Sequence, residues 1–206
     1  MKRLFQDITN VIKKNIKLTI HRNNHRKKLI QWLYEVCTEF SYSPITYTLC
    51  VQILDKYTSL TPINYKIYQL IGITCLFISA KIEESTTKDI HEYITVTDNS
   101  VSLQQILNTE KDILCNLNFN LFFISPHSYI NIFYLENISY KYNISIEHTS
   151  HLLHCFVASV MEKEEVNMYW LYEEAKTLFE KCLEKKEIDK EIRLYIPLYN
   201  KDIIKG

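Results

Sequence analysis

The sequence predicts an all-α protein, and three observations lead to this fold class. The chain of 206 residues contains only two glycines and four prolines, whereas sandwiches and barrels need many turns rich in these residues. Hydrophobic residues make up 47% and aromatic residues 13% of the chain, which is typical of a globular protein. Apolar side chains recur at helical spacing, and no stretch shows the alternation of a β-strand. This length suffices for one large domain or two small ones.

The segment from Tyr68 to Glu84 is expected to be the most buried helix, around which the others pack. It is apolar on every side between Leu70 and Ala80, and such a helix must be enclosed by other elements. It is shorter than the roughly 20 residues that span a bilayer. Glycine within a helix costs about 1 kcal/mol relative to alanine. Gly72 therefore indicates the close approach of a neighbouring backbone.

The other helices are predicted from apolar stripes and from capping residues. Ser43 and Pro44 fit an N-cap and a first helical residue, and Ser102 with Gln105 fits a capping box. The predicted helices are Met1–His21, Leu29–Phe40, Pro44–Tyr57, Tyr68–Glu84, Thr87–Thr95, Leu103–Leu117, Pro126–Tyr140, Ile146–Glu164, Asn167–Lys186 and a last one after Asp189.

The charge of the chain is balanced but unevenly distributed. The first 30 residues contain nine Lys and Arg against one acid, +8, and the remainder contains 15 basic against 23 acidic residues, −8. The basic segment either contacts phosphates, nucleic acid or an acidic partner, or forms a solvated helix face. The six cysteines show no CxxC or Cys/His spacing, so we predict free buried thiols in a reducing compartment, with no metal and no cofactor. We identify no secretory signal and no membrane-spanning segment.

An acidic residue interrupts the apolar stripe of the helix after Ser102. Glu110 occupies the i+7 position of a stripe formed by Leu103, Ile106, Leu107, Ile113, Leu114 and Leu117. An unpaired carboxylate on a core-facing stripe is strongly unfavourable. Two interpretations follow. Glu110 pairs with a cation, for which Lys81 at the end of the central helix is the natural candidate, or it lies at the margin of the stripe and reaches solvent.

Five fragments taken together resemble the cyclin box, although each alone would be a weak signal. They are Asn24–Val36, Thr46–Tyr57, Gln69–Gly72, Ser79–Glu84 and Ile94–Asp98. The resemblance extends from about Asn23 to Leu121, with the helix order and loop lengths of the family. It implies a five-helix cyclin box at 23–121 and a shortened, degenerate second helical repeat at 122–206, preceded by the N-terminal helix that periodicity predicts within residues 1–22.

The resemblance also implies a function. Cyclins bind and allosterically activate a cyclin-dependent Ser/Thr protein kinase and thereby regulate cell-cycle progression. The expected role is a regulatory subunit in the nucleus or cytoplasm, not an enzyme, with the kinase and its protein substrates as partners and no membrane partner. Lys81 and Glu110 match the charge pair that contacts the kinase's regulatory helix. Ile82, Leu114, Phe119 and Leu121 match the apolar positions that line the same groove.

A second site of the family, the substrate-docking patch, is only partly matched. Mitotic and S-phase cyclins dock Arg-x-Leu substrates on a motif, MRAIL, whose aligned stretch here is His25–Leu29. The retained residues of the patch are Arg26, Leu29, Trp32, Glu35 and Gln69. His25 and Lys28 replace apolar residues, and a lysine weakens docking of a leucine and repels basic substrates. Either the patch binds acidic or phosphorylated peptides, or docking is lost. Because Arg26-x-x-Leu29 runs into the helix predicted from Leu29, we interpret it as structural and not as a degradation signal.

Three alternative functions can be compared with the sequence. A catalytic site is not supported, because His127, His148, His151 and His154 lack a nucleophile or third ligand at usable spacing, and we interpret them as solvated or half-buried. General transcription factors use a similar repeat to bind DNA. The basic N-terminal segment favours such an adaptor, whereas the neutral charge and the match of Lys81 and Glu110 count against nucleic acid. A cyclin-fold adaptor that binds a kinase without activating it is the third alternative.

Overall fold

The computed structural model describes residues 24–62, 64–163 and 167–185, and within these ranges all regular structure is helical. The helices are α1 (24–39), α2 (Pro44–Leu60), α3 (Tyr68–Glu83), α4 (Ile90–Thr95), α5 (Leu103–Asn116), α6 (Ile132–Tyr142), α7 (Ile146–Val160) and α8 (Met168–Lys185), with 3-10 turns at Tyr65–Ile67 and Pro126–Tyr129. The predicted all-α class is therefore confirmed. The helices predicted at Met1–His21 and after Asp189 lie outside the described residues. None of the described helices is long and apolar enough to cross a membrane.

The helix α3 lies at the centre of the first bundle and packs against α2, α4 and α5. Eleven of its 16 residues are buried, a larger share than in any other described helix, since α2 follows with eleven of 17. The close neighbour of Gly72 is a side chain and not the predicted backbone. A Cβ atom at Gly72 would lie 2.9 Å from Leu29 Cδ1, so the glycine lets α1 pack tightly against α3.

The end of α3 is fixed to the start of α2 by the side chain of Glu84. Its carboxylate accepts hydrogen bonds from the backbone N–H of Ser43, at 2.7 Å, and from the hydroxyl of Thr46. An anion is favourable there because the first N–H groups of a helix are unsatisfied and carry partial positive charge. Ser43 itself caps α2 as predicted, its hydroxyl accepting from the N–H of Ile45. The last turn of α3 therefore has a defined position.

The predicted helix Pro126–Tyr140 is wrong as a single element. The chain forms a 3-10 turn at Pro126–Tyr129, becomes extended at Ile130, and starts α6 at Ile132. The break occurs because the side chain of Asn131 accepts a hydrogen bond from the N–H of Phe133 and so caps a new helix. A short polar side chain bonded to the local backbone competes in this way with continued helix. Four other ends differ by three to five residues: α1 begins earlier, at residue 24, α2 continues to Leu60, α4 begins at Ile90 behind a capping box from Asp89, and α7 stops at Val160.

The early end of α7 coincides with a contact from α1. The guanidinium of Arg26 donates to the carbonyl oxygens of Met161, at 2.9 Å, and Glu162, at 2.6 Å. The same guanidinium forms a two-pronged ion pair with Asp55 of α2, each hydrogen bond 2.7 Å long. These bonds satisfy carbonyls at the helix end and join the first bundle to α7.

The histidine at position 127 is buried, contrary to the prediction of a solvated or half-buried ring. His127 is 7% exposed, and its Nδ1 lies 2.6 Å from Nδ1 of His154. Burial and, to a smaller extent, the neighbouring His154 together lower the pKa of His127 to about 3. Within the described residues no group of three or more His, Cys, Asp or Glu side chains is arranged to hold a metal ion.

The cysteines of the described residues are free thiols, as predicted, and most of them are buried. Cys37, Cys50, Cys75 and Cys155 are buried, whereas Cys115 is exposed and Cys182 is half-buried. Burial raises the pKa of the Cys155 thiol to about 11 and raises the pKa values of the other three buried thiols as well. These four side chains consequently stay neutral and act as small apolar groups of the core.

Candidate functional site

Lys81 and Glu110 form an ion pair between the last turn of α3 and the middle of α5. The Lys81 ammonium donates a hydrogen bond to Glu110 Oε1. The Lys81 side chain is 40% exposed and the Glu110 side chain 14%. Both interpretations of Glu110 therefore hold in part, since the carboxylate is paired with the expected lysine and still lies at the margin of the core.

The apolar residues predicted to line the same groove are exposed or half-buried. Ile82 is 48% exposed and Phe119 69%, while Leu114 and Leu121 are half-buried. Phe119 follows the end of α5 with φ 56°, directly after Asn118 with φ 51°, and its N–H donates to the carbonyl of Leu114 at 2.8 Å. The left-handed region costs a residue other than glycine about 1 kcal/mol or more. The chain thus keeps a strained turn that leaves a large aromatic ring in solvent.

Two further leucines of α5 extend this apolar surface, and the sequence prediction placed them in the core. Leu103 is 39% exposed and Leu107 is 41% exposed, whereas Ile106 and Ile113 face the core of the bundle. Leu103 and Leu107 precede Glu110 by seven and three residues, so all three lie on one side of the helix. We define the α3–α5 face as Lys81, Ile82, Leu103, Leu107, Glu110, Leu114, Phe119 and Leu121.

An aromatic residue that was not predicted as part of the site contacts the ion pair. The Lys81 ammonium lies 4.1 Å from the centroid of the Phe77 ring. Phe77 precedes Lys81 by four residues in the same helix, and side chains at this spacing are neighbours on a helix surface. The i, i+4 spacing of an aromatic residue and a lysine was therefore the signal available in the sequence.

The predicted substrate-docking patch is only partly present at the surface. Arg26 is 2% exposed and Leu29 is 8% exposed, so neither side chain is accessible to a substrate in this structure, and the docking role of the patch stays a prediction. The Arg26 guanidinium is hydrogen-bonded to Asp55 and to the end of α7. The Leu29 side chain packs into the space that the missing Cβ of Gly72 leaves. The other predicted residues remain accessible: His25, Lys28, Glu35 and Gln69 are exposed, and Trp32 is half-buried.

Two residues of the 3-10 turn before α3 enlarge what remains of this patch. Tyr65 is 42% exposed and Ile67 is 46% exposed. The ring of His25 stacks on that of Tyr65, with 4.9 Å between the ring centroids and 27° between the planes. We call the surface formed by His25, Lys28, Trp32, Glu35, Tyr65, Ile67 and Gln69 the α1 patch.

Comparison with known proteins gives the family of the chain. The sequence model described as "Cyclin, N-terminal domain" matches residues 4–122, more than half of the chain. The chain belongs to the cyclin family. Its first bundle and the α3–α5 face lie within the matched residues, whereas α6 to α8 lie beyond them. The predicted domain limits at 23–121 and 122–206 stay predictions.

Relatives of this cyclin include mitotic and G1/S members. The chain is 33% identical over 99 residues to G2/mitotic-specific cyclin C13-1 of Daucus carota, with 48% of this chain and 29% of that protein covered. It is 42% identical over 96 residues to Cyclin-B1-3 of Arabidopsis thaliana, with 47% of this chain and 23% of that protein covered. It is 32% identical over 108 residues to G1/S-specific cyclin-D1 of Homo sapiens, with 52% of this chain and 37% of that protein covered. The matched part thus spans less than two fifths of the length of these relatives.

A solved structure shows the same fold. The X-ray structure of a viral cyclin from herpesvirus saimiri superposes with a TM-score of 0.66 at 17% sequence identity, over 81% of this chain and 72% of that chain. The superposition extends well beyond the matched N-terminal domain. The likeness in fold to a cyclin therefore continues beyond residue 122, while a second helical repeat at 122–206 stays a prediction.

Proposed function

We propose that this cyclin binds and allosterically activates a cyclin-dependent Ser/Thr protein kinase and so regulates cell-cycle progression, in the nucleus or the cytoplasm. The observation that supports this function is the Lys81–Glu110 ion pair on the exposed α3–α5 face. Protein interfaces typically combine an apolar centre with few charges. The α3–α5 face has this character, with one charge pair among apolar side chains.

The geometry of the face suits an amphipathic helix of the kinase. Such a helix places its apolar side in a groove between two helices, and α3 and α5 pack side by side here. The Lys81 ammonium has three N–H donors and the Glu110 carboxylate two acceptor oxygens. Their mutual hydrogen bond uses one of each. Both groups therefore retain capacity for the backbone or polar side chains of the partner.

Activation in this proposal is a positional effect. The docked kinase helix moves inward, so that its glutamate meets the nucleotide-binding lysine and the activation segment opens. This cyclin supplies no catalytic atom and acts as a regulatory subunit. The activated kinase then phosphorylates its protein substrates.

Co-purification followed by a phosphorylation assay tests this function. The chain is mixed with individual cyclin-dependent kinases, complexes are isolated by size exclusion, and phosphorylation of a histone or peptide is measured with and without the chain. We expect a stoichiometric complex and stimulated phosphorylation. A complex without stimulation would instead identify a non-activating adaptor. Failure of every kinase to bind, with retention of nucleic acid, would favour the transcription-associated alternative.

A further inference from the structure

We propose that Phe77 is a positioning residue that holds the Lys81 ammonium in place for kinase binding. The inference rests on the proposed function, because its consequence is measured in the binding of the kinase. Phe77 is half-buried and lies next to the α3–α5 face, but its own role is to support the lysine and not to contact the partner.

The position of the ammonium over the ring follows from helix geometry. Long side chains on a helix point back toward its N-terminus and over the residue four positions earlier. The Lys81 side chain accordingly extends over Phe77 and places its Nζ atom 4.1 Å from the ring centroid. A cation at this distance is attracted by the negative face of an aromatic ring. An aliphatic residue at position 77 would offer no such face.

The ring of Phe77 is itself held by the core. Its edge contact with Tyr93 has 5.1 Å between centroids and 75° between planes. Tyr93 is fully buried, and its hydroxyl lies 2.6 Å from that of Tyr42. Tyr93 also packs against Phe40, at 5.1 Å between ring centroids. This aromatic cluster keeps the face of Phe77 directed toward Lys81.

Lys81 is therefore held on two sides, by the carboxylate of Glu110 and by the ring of Phe77. A free lysine side chain has high rotamer entropy, which is lost when a partner immobilises it. Restraining the ammonium before binding reduces this loss. Docking of the kinase removes water from the site, and cation–π attraction strengthens when the cation is desolvated. Both effects favour the complex and leave the chemistry of the interface unchanged.

The substitution Phe77→Leu separates this role from simple packing. Leucine retains apolar bulk against Tyr93 but has no aromatic face. We expect the affinity for the kinase to fall about two- to fivefold, the range of cation–π pairs at partly exposed sites. The matched control is Trp170→Leu on α8, which removes a 49% exposed ring that lies 5.8 Å from the Lys163 ammonium. This control is expected to leave affinity unchanged.

A first measurement needs no kinase. The Lys81 Nζ atom lies over the Phe77 ring, so the NMR signals of the ε-methylene protons bonded to the adjacent carbon are expected upfield of ordinary lysine positions because of the ring current. Phe77→Leu is expected to move these signals to ordinary positions, and Trp170→Leu to leave them in place. Unshifted signals in the wild-type chain, or shifted signals that persist in Phe77→Leu, would overturn the proposal. Because this result is independent of binding, it stands even if the proposed function fails.

A second measurement isolates the electrostatic attraction between the Lys81 ammonium and the Phe77 ring. Phenylalanine analogues with increasing numbers of ring fluorines are incorporated at position 77, which weakens the negative ring face with little change of size. We expect kinase affinity to fall stepwise with fluorination, and the series to become flat when Lys81 is replaced by Met. A flat series with Lys81 present, or the same slope in the Lys81→Met background, would overturn the positioning role even if the kinase binds.

Discussion

Glu110 accepts a hydrogen bond from Lys81 across 29 residues of sequence, and the lysine of this pair stays 40% exposed. Ion pairs of such exposure contribute only about 0–1 kcal/mol to stability. The fold is stabilised mainly by the apolar core around α3, where Leu76, Ile73 and Cys75 are fully buried. The pair is therefore better suited to recognition of a partner than to stabilisation of the bundle.

Removing either member of this pair is expected to abolish kinase activation and leave the fold intact. Lys81→Ala or Glu110→Ala leaves the other charge without its partner inside the interface, which typically costs about 2–5 kcal/mol in binding. The free energy of unfolding is expected to change by at most about 1 kcal/mol. Isothermal titration calorimetry with the kinase and urea denaturation measure the two quantities separately.

The chain offers a matched control for these two variants. Lys163 and Glu174 form a direct ion pair outside the first bundle, with side-chain exposures of 52% and 21% that resemble those of Lys81 and Glu110. Lys163→Ala and Glu174→Ala are expected to retain kinase binding. Wild-type affinity in both Lys81→Ala and Glu110→Ala would place the kinase-binding groove elsewhere.

The buried His127 and the half-buried His154 are expected to make the free energy of unfolding decrease in mild acid. Burial lowers the pKa values of both rings, that of His127 to about 3, whereas an unfolded histidine titrates near 6.5. The unfolded chain therefore takes up protons first as the pH falls. The stabilisation is complete above about pH 6.5 and is lost as the pH falls, for His127 down to about pH 3, at up to about 1.4 kcal/mol per pH unit for a ring that titrates in this range only in the unfolded chain.

Urea denaturation between pH 7.5 and pH 4.5 checks this dependence. The difference in unfolding free energy between the wild-type chain and His127→Gln is expected to shrink as the pH falls, because the variant has one buried histidine fewer. His148→Gln, at an exposed position of α7, is expected to keep the wild-type profile. Parallel profiles for His127→Gln and the wild-type chain would show that His127 does not govern the loss.

The contact of Arg26 with α2 and α7 is expected to be important for stability. Arg26→Met leaves the Asp55 carboxylate and two carbonyl oxygens without their donor, and breaking a buried ion pair typically costs about 3–5 kcal/mol. Because Asp55 remains 36% exposed, a loss of roughly 3 kcal/mol is expected. Arg26→Lys keeps the charge but not the planar fork of donors, so an intermediate loss is expected.

Chemical denaturation of these variants tests the contact, with Lys28→Met as the control. Lys28 is an exposed residue of the same helix. Like Arg26→Met, Lys28→Met replaces a positively charged side chain with methionine. Its replacement is expected to shift the unfolding free energy by less than about 0.5 kcal/mol, as for surface substitutions in general. Equal stability of Arg26→Met and Lys28→Met would contradict the structural role of Arg26.

Local sequence patterns were sufficient to predict most of the helices. They failed where residues distant in sequence determine whether a side chain is buried. The core helix α3 and the caps at Ser43 and Ser102 follow from periodicity and short-range hydrogen bonds. The burial of Arg26 depends on partners 29 and 136 residues away, and no local pattern contains that information. The break at Asn131 was missed because its cap lies inside an apolar run.

The candidate site shows a second limit of pattern reading. A helix stripe that binds a partner has the same apolar composition as one that packs in the core, so Leu103 and Leu107 were predicted as buried although both are exposed. Glu110 was recognised because a charge in such a stripe requires an explanation. Phe77 was not recognised as part of the site, because an aromatic residue within an apolar helix needs no special explanation.

The α1 patch is expected to prefer acidic or phosphorylated docking peptides over Arg-x-Leu peptides. Lys28 is exposed where the family's motif has an apolar residue, and like charges reject basic peptides while opposite charges accelerate association. Tyr65 and Ile67 supply apolar surface within the same patch.

Fluorescence titration compares the two peptide types at low and physiological salt, and the preference for acidic peptides is expected to weaken with salt because exposed charges are screened. Lys28→Ile is expected to remove it, whereas Lys111→Ile on α5 is the control and should retain it. If neither peptide binds, or if binding is unchanged in Lys28→Ile, docking at this surface has been lost.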